Sequence, residues 1–157
     1  MFNQCGNCFL ECTQSCIVAD RRRLKYGRNY EEPTGTATLT LSYNLPCDHV
    51  IHTVGPIVYD RLNDKHCQDL QNCYENVLKC CLKYHIKSVA FCCISTGEFH
   101  FPNDKAAEIA LKTVKAFLEK HGDCLERIIF NVLRTATGAF MLAVPFSLIY
   151  CDKYGIF

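Results

Sequence analysis

Two short runs, SVAFCCI (88–94) and RIIFNVL (127–133), are almost unbroken in apolar residues, and a helix-patterned segment lies between them. Such runs are the mark of strands buried on both faces. The segment between opens at Asp104 and runs to about His121. Ala107, Ile109, Ala110, Val114, Phe117 and Leu118 form its apolar side, and Gly122 is a natural stop. A strand, a helix and a second strand in this order make a right-handed crossover between parallel strands. The helix must cover a sheet, so an α/β architecture is expected, with a mixed or mostly parallel sheet.

Upstream, TATLTLSY (36–43) alternates apolar and polar residues and is rich in β-branched side chains, which predicts a half-buried strand ended by Asn44 and Pro46. HVIHTV (49–54) predicts a second strand, closed by Gly55-Pro56, where the turn needs no chemical role. Residues 65–84 predict a helix with Asp64 as N-cap, since Leu70, Cys73, Tyr74, Val77, Leu78, Cys81 and Leu82 recur at spacings of three and four. Residues 1–30 show no clear period.

At 157 residues the chain has the size of one domain, and its 21% charged and 49% hydrophobic residues make an ordinary globular balance. A formal net charge of +1 gives no general electrostatic reason to expect a nucleic-acid partner. The basic cluster Arg21-Arg22-Arg23 with Lys25 and Arg28 reads as a solvated face. MFNQCGNCFLEC has neither the basic start nor the long apolar stretch of an export signal, so a cytoplasmic, reducing setting is expected for the 13 cysteines. AFMLAVPFSLIY (139–150) is too short to span a bilayer and is broken by Pro145, and no membrane partner is expected.

The segment STGEFHFPN (95–103) leads from a buried strand into a helix, where ligands of open α/β sheets bind. Ser95, Thr96 and Gly97 offer backbone N–H groups and two hydroxyls, and Gly97 permits close approach or a positive φ. Consecutive N–H groups near a helix N-terminus make an anion site. Phe99 and Phe101 are candidates for an apolar wall, unless they fold back on the core as in an ordinary loop. No Walker-type lysine and no GxGxxG is present, which disfavours P-loop and Rossmann nucleotide sites. Asn131, at the carboxyl end of a strand, is a candidate ligand contact. His52 reads as a satisfied structural histidine and His100 as an exposed loop residue.

TGTATLT, YNLP, HVIHTVGP and the ISTG-x-F-x-FP loop, in this order and spacing over residues 31–133, closely resemble the macrodomain family, and in particular the zinc-containing microbial protein ADP-ribosyl hydrolases often linked to sirtuins. The resemblance implies a single three-layer α/β/α domain over 1–157 with a mixed, mostly parallel sheet. Residues 1–30 and 134–157 are diverged from the family, and its first strand or strands are missing or altered. It implies that Ser95, Thr96, Gly97 and Glu98 cradle the diphosphate of ADP-ribose, that Phe99 walls the distal ribose, and that a sirtuin-like partner exists. Glu98 is then the candidate general base in hydrolysis of protein-linked ADP-ribose. Binding without turnover, or a degenerate domain with neither property, are the other readings.

The sequence also departs from the family. The early Asp-Ala-Ile-Val-Asn-Ala-Ala-Asn-like stretch has no counterpart in residues 1–30. Cys8-Phe9-Leu10-Glu11-Cys12-Thr13-Gln14-Ser15-Cys16-Ile17 only partly echoes the zinc loop of the resembling branch, whose histidine is replaced here. Cys8, Cys12 and Cys16, with Cys5 nearby, remain candidate zinc ligands, since zinc accepts thiolates in tetrahedral sites. Three would leave a position open for substrate or water; four would close the site.

Overall fold

The computed structural model describes Gly27 and residues 31–42, 47–122, 124–131 and 147–152. The chain divides into Met1–Glu32 and Pro33–Phe157, and every strand and helix described belongs to the second unit. The strands are β1 (Ala37–Leu41), β2 (His49–Thr53), β3 (Ser88–Cys92), β4 (Arg127–Asn131) and β5 (Ser147–Asp152), and the helices are α1 (Asp64–Lys83) and α2 (Asn103–His121).

The five strands form a mixed sheet in the order β1-β2-β5-β3-β4. β3 and β4 are parallel with Ser88 opposite Arg127, as the strand–helix–strand order requires. The pairings of β1 with β2, β2 with β5 and β5 with β3 are antiparallel. β5 is a strand that no sequence pattern predicted, and it occupies the middle of the sheet. The two helices pack on one another and make one layer over the sheet. No second helical layer occurs among the described residues.

Local chemistry accounts for the element ends. α1 begins one position earlier than expected, because Asn63 and not Asp64 is the cap: its side-chain oxygen accepts from the His66 N–H at 2.9 Å. α1 buries Leu70, Cys73, Tyr74, Val77, Leu78 and Cys81, whereas Leu82 is exposed. α2 starts after Pro102 without a side-chain cap and turns Ala106, Ala110, Thr113, Val114 and Phe117 inward. Ala107, expected on the apolar side, is exposed, while Ile109 and Leu118 pack at the edge of the core. In the β1–β2 ladder, Thr40 Oγ1 and His52 Nε2 lie 2.9 Å apart as diagonal neighbours, so His52 has the structural partner expected of it.

The core is centred on Phe91 of β3. Its ring lies 5.2 Å from that of Tyr74 on α1 and 5.7 Å from that of Phe130 on β4, which ties helix, central strand and edge strand together. The buried thiol of Cys73 donates to the Val54 carbonyl at 3.3 Å. Burial pushes the thiols of Cys73 and Cys80 up from 9.0 to about 11. The unfolded chain therefore releases these protons near pH 9 while the folded chain holds them to about pH 11. Their contribution to stability is thus fully present below pH 9 and falls as pH rises through that window. Urea denaturation between pH 8 and 11 should show a falling midpoint, and replacing Cys73 and Cys80 by alanine should flatten that fall.

Candidate functional site

Sheet direction decides which loops meet. β2 is antiparallel to β5, and β5 is antiparallel to β3, so β2 and β3 run the same way; β4 is parallel to β3. The carboxyl ends of β2, β3 and β4 thus lie along one edge of the sheet. The segment after β2 (54–58), the segment after β3 (93–102) and Asn131 at the end of β4 gather there. The Val58 N–H donates to the Phe99 carbonyl at 2.9 Å and joins the first two. The Cys93 thiol lies 3.8 Å from the Asn131 carbonyl that accepts it, which brings β4 to the same place.

The loop after β3 is closed by its own hydrogen bonds. The Phe101 N–H donates to the Ser95 carbonyl at 2.9 Å and the His100 N–H to the Gly97 carbonyl at 2.9 Å. Thr96 turns back on the strand end, its hydroxyl donating to the Cys93 carbonyl at 3.0 Å. Phe101 is buried in the core with 2% of its surface exposed and anchors the descending limb. Two residues of this loop that are not glycine take left-handed backbone angles, Ser95 with φ 65° and His100 with φ 53°. The positive φ expected near Gly97 thus falls on its neighbours.

These bonds leave a row of donors at the loop apex. The backbone N–H groups of Gly97, Glu98 and Phe99 have no acceptor among the described residues. Three successive N–H groups without an acceptor among the described residues, in a tight turn ahead of the α2 N-terminus, carry partial positive charge and suit an anion. Phe99 is half-buried and borders this row, whereas Glu98 and His100 are exposed. Only one of the two phenylalanines is therefore left to wall a ligand.

The structure brings together Ser95, Thr96, Gly97, Glu98, Phe99 and Asn131. The Ser95 hydroxyl, however, is buried and has no partner among the described residues, and it faces Gly55. Ser95 thus offers the site its backbone. Cys8, Cys12 and Cys16 lie outside the described residues, and no cluster of three metal-ligating side chains occurs among the described ones. Sequence reasoning missed the 54–58 segment as a wall of the site. Its signal was present in the Gly55-Pro56 pair that ends β2.

A mixed sheet with a loop of unaccepted N–H groups where the carboxyl ends of β2, β3 and β4 meet is the arrangement of an α/β domain with a candidate anion site. The Macro domain model matches residues 2–110, and the chain belongs to that family. It is 43% identical over 132 residues to a protein-ADP-ribose hydrolase of Treponema medium, covering 82% of this chain and 50% of the relative. It is 46% identical over 125 residues to the human ADP-ribose glycohydrolase MACROD2, covering 80% of this chain and 28% of that protein. Among solved structures, the macrodomain of Trypanosoma brucei in complex with ADP-ribose is 39% identical with a TM-score of 0.57, covering 62% of this chain and 40% of that one. The chain spans half the length of the Treponema relative and less of the human one.

Proposed function

We infer that the protein binds ADP-ribose through the loop after β3 and hydrolyses ADP-ribose from modified protein side chains. The observation that carries this reading is the row of N–H groups from Gly97 to Phe99 without an acceptor among the described residues, beside the half-buried Phe99. Relatives named for ADP-ribose hydrolysis and a neighbour solved with ADP-ribose support it. The backbone donors take the diphosphate, and Phe99 packs beside the distal ribose.

Hydrolysis breaks the bond between that ribose and the protein side chain and adds water across it. Glu98, exposed at the loop apex, is the candidate base that takes a proton from the attacking water. Replacement by glutamine should lower the hydrolysis rate by about 10²-fold while ADP-ribose affinity stays within about threefold. An unchanged rate would remove Glu98 from the chemistry.

Zinc at Cys8, Cys12 and Cys16 belongs to the same reading, as does membership of the zinc-containing branch. Thiolates are soft donors that suit this metal, and three would leave it one open position to polarise a substrate oxygen. Metal content before and after chelation, read together with hydrolysis and binding, tests it. Hydrolysis lost with the zinc supports the enzyme; binding that ignores chelation and lacks turnover supports a binding module.

Cys67, Cys73, Cys80, Cys81, Cys93 and Cys124 are free thiols, which suits a reducing cytoplasm. No described helix is long and apolar enough to cross a membrane. A sirtuin-like partner completes the reading and is tested by co-purification.

A further inference from the structure

We propose that Gly55, in the segment after β2, is a positioning residue that holds the loop after β3 in its diphosphate-binding shape by accommodating Ser95. This rests on the functional reading above and names the part of the fold that presets the site.

A Cβ added at Gly55 would stand 2.1 Å from Ser95 Oγ and 2.9 Å from Ile94 Cγ2. The first separation is impossible for atoms that are not bonded to each other, and both neighbours are buried side chains. Ile94 is fully buried, and Ser95 is 7% exposed with its hydroxyl oxygen buried. Ser95 is also held at φ 65°, where its rotamers are restricted. Steric relief therefore falls on residues 94–95, the first of the loop.

The Gly55 segment is itself fixed from behind. The Val54 carbonyl accepts from the Gly35 N–H at 2.8 Å and from the Cys73 thiol at 3.3 Å. Ahead of it, the Val58 N–H holds the Phe99 carbonyl at 2.9 Å. The loop is thus gripped at both ends, by contact at Ser95 and by a hydrogen bond at Phe99. Between these grips stand the open N–H groups of Gly97 and Glu98. The buried Ser95 hydroxyl, without a partner among the described residues, fits this picture. The loop tolerates a desolvated hydroxyl because the left-handed turn that it begins is fixed by the Gly55 backbone.

The test is a double-mutant cycle of Gly55→Ala and Ser95→Ala, read by ADP-ribose titration and by amide hydrogen exchange. Gly55→Ala should weaken ADP-ribose binding about tenfold or more. It should also speed exchange of the Val58, His100 and Phe101 amides while leaving those of Val89 and Phe91 in β3 unchanged. Ser95→Ala removes the nearest atom in the way and leaves Ile94 Cγ2 at 2.9 Å and Ser95 Cβ at 3.4 Å, so the double variant should recover part of the lost affinity and protection. Val89→Ala, a core change away from the loop, should lower stability and leave affinity unchanged.

Gly55→Ala with parental affinity and parental loop protection would overturn the proposal. So would a double variant no better than Gly55→Ala, or an equal affinity loss in Val89→Ala. If the parent protein does not bind ADP-ribose, the functional reading fails, and the exchange measurement alone decides whether Gly55 positions the loop.

Discussion

Gly97→Glu is expected to reduce ADP-ribose affinity by at least about 10²-fold, roughly 3 kcal/mol, with little change in the unfolding midpoint. Gly97 stands at the start of the row of N–H groups that lack an acceptor among the described residues. The loop's own hydrogen bonds run through the Ser95 and Gly97 carbonyls and not through a side chain at 97. A side chain there narrows the approach to these donors, and a carboxylate also opposes the charge of a diphosphate. Gly97→Ala separates the two effects, since it adds bulk without charge and should cost less. Calorimetric titration of both variants against the parent checks this. Affinity for ADP-ribose within about threefold of the parent in Gly97→Glu would remove the loop from the binding site.

Phe91→Ala is expected to have the largest effect on stability, about 3–5 kcal/mol. Phe91 is fully buried, and its ring contacts both Tyr74 and Phe130. Truncation leaves a cavity between α1, β3 and β4 that close-packed neighbours fill only in part. Against the usual folding stability of about 5–15 kcal/mol, this removes a large share. Urea unfolding of the parent, Phe91→Leu and Phe91→Ala should give a graded series, with leucine in the middle. A loss under about 1 kcal/mol for alanine would mean that the core is centred elsewhere.

Legibility in the sequence tracks the strength of local patterns. Helix α1 announced itself because six of its apolar residues, from Leu70 to Cys81, fall on one face and are all buried. β3 and β4 were visible as apolar runs, and their parallel pairing came from the helix between them. The register of the α2 stripe was misjudged by one position at Ala106, since two adjacent alanines carry no preference for burial. β5 was hidden for a different reason. SLIYCD has no alternation, and its position between β2 and β3 depends on pairing with strands more than about 50 residues away in the chain, which no local pattern records.

The site was legible in its composition and not in its support. STGEF reads as a loop suited to an anion, and the N–H groups of Gly97, Glu98 and Phe99 have no acceptor among the described residues. Which phenylalanine enters the core was open in the sequence, and only the tertiary contacts assign Phe101 to it. The contact of Gly55 with Ser95 joins residues far apart in the chain and depends on a left-handed serine, which propensity alone argues against.

The measurement that bears most directly on the central claim is calorimetric titration of the folded protein with ADP-ribose, repeated in the presence of excess inorganic pyrophosphate. Saturable one-to-one binding that pyrophosphate weakens is the expected result, because both ligands need the same backbone donors. A folded protein that gives no binding heat at any temperature tried, or binds ADP-ribose with an affinity that pyrophosphate leaves unchanged, would contradict the assignment of the loop after β3 as a diphosphate site.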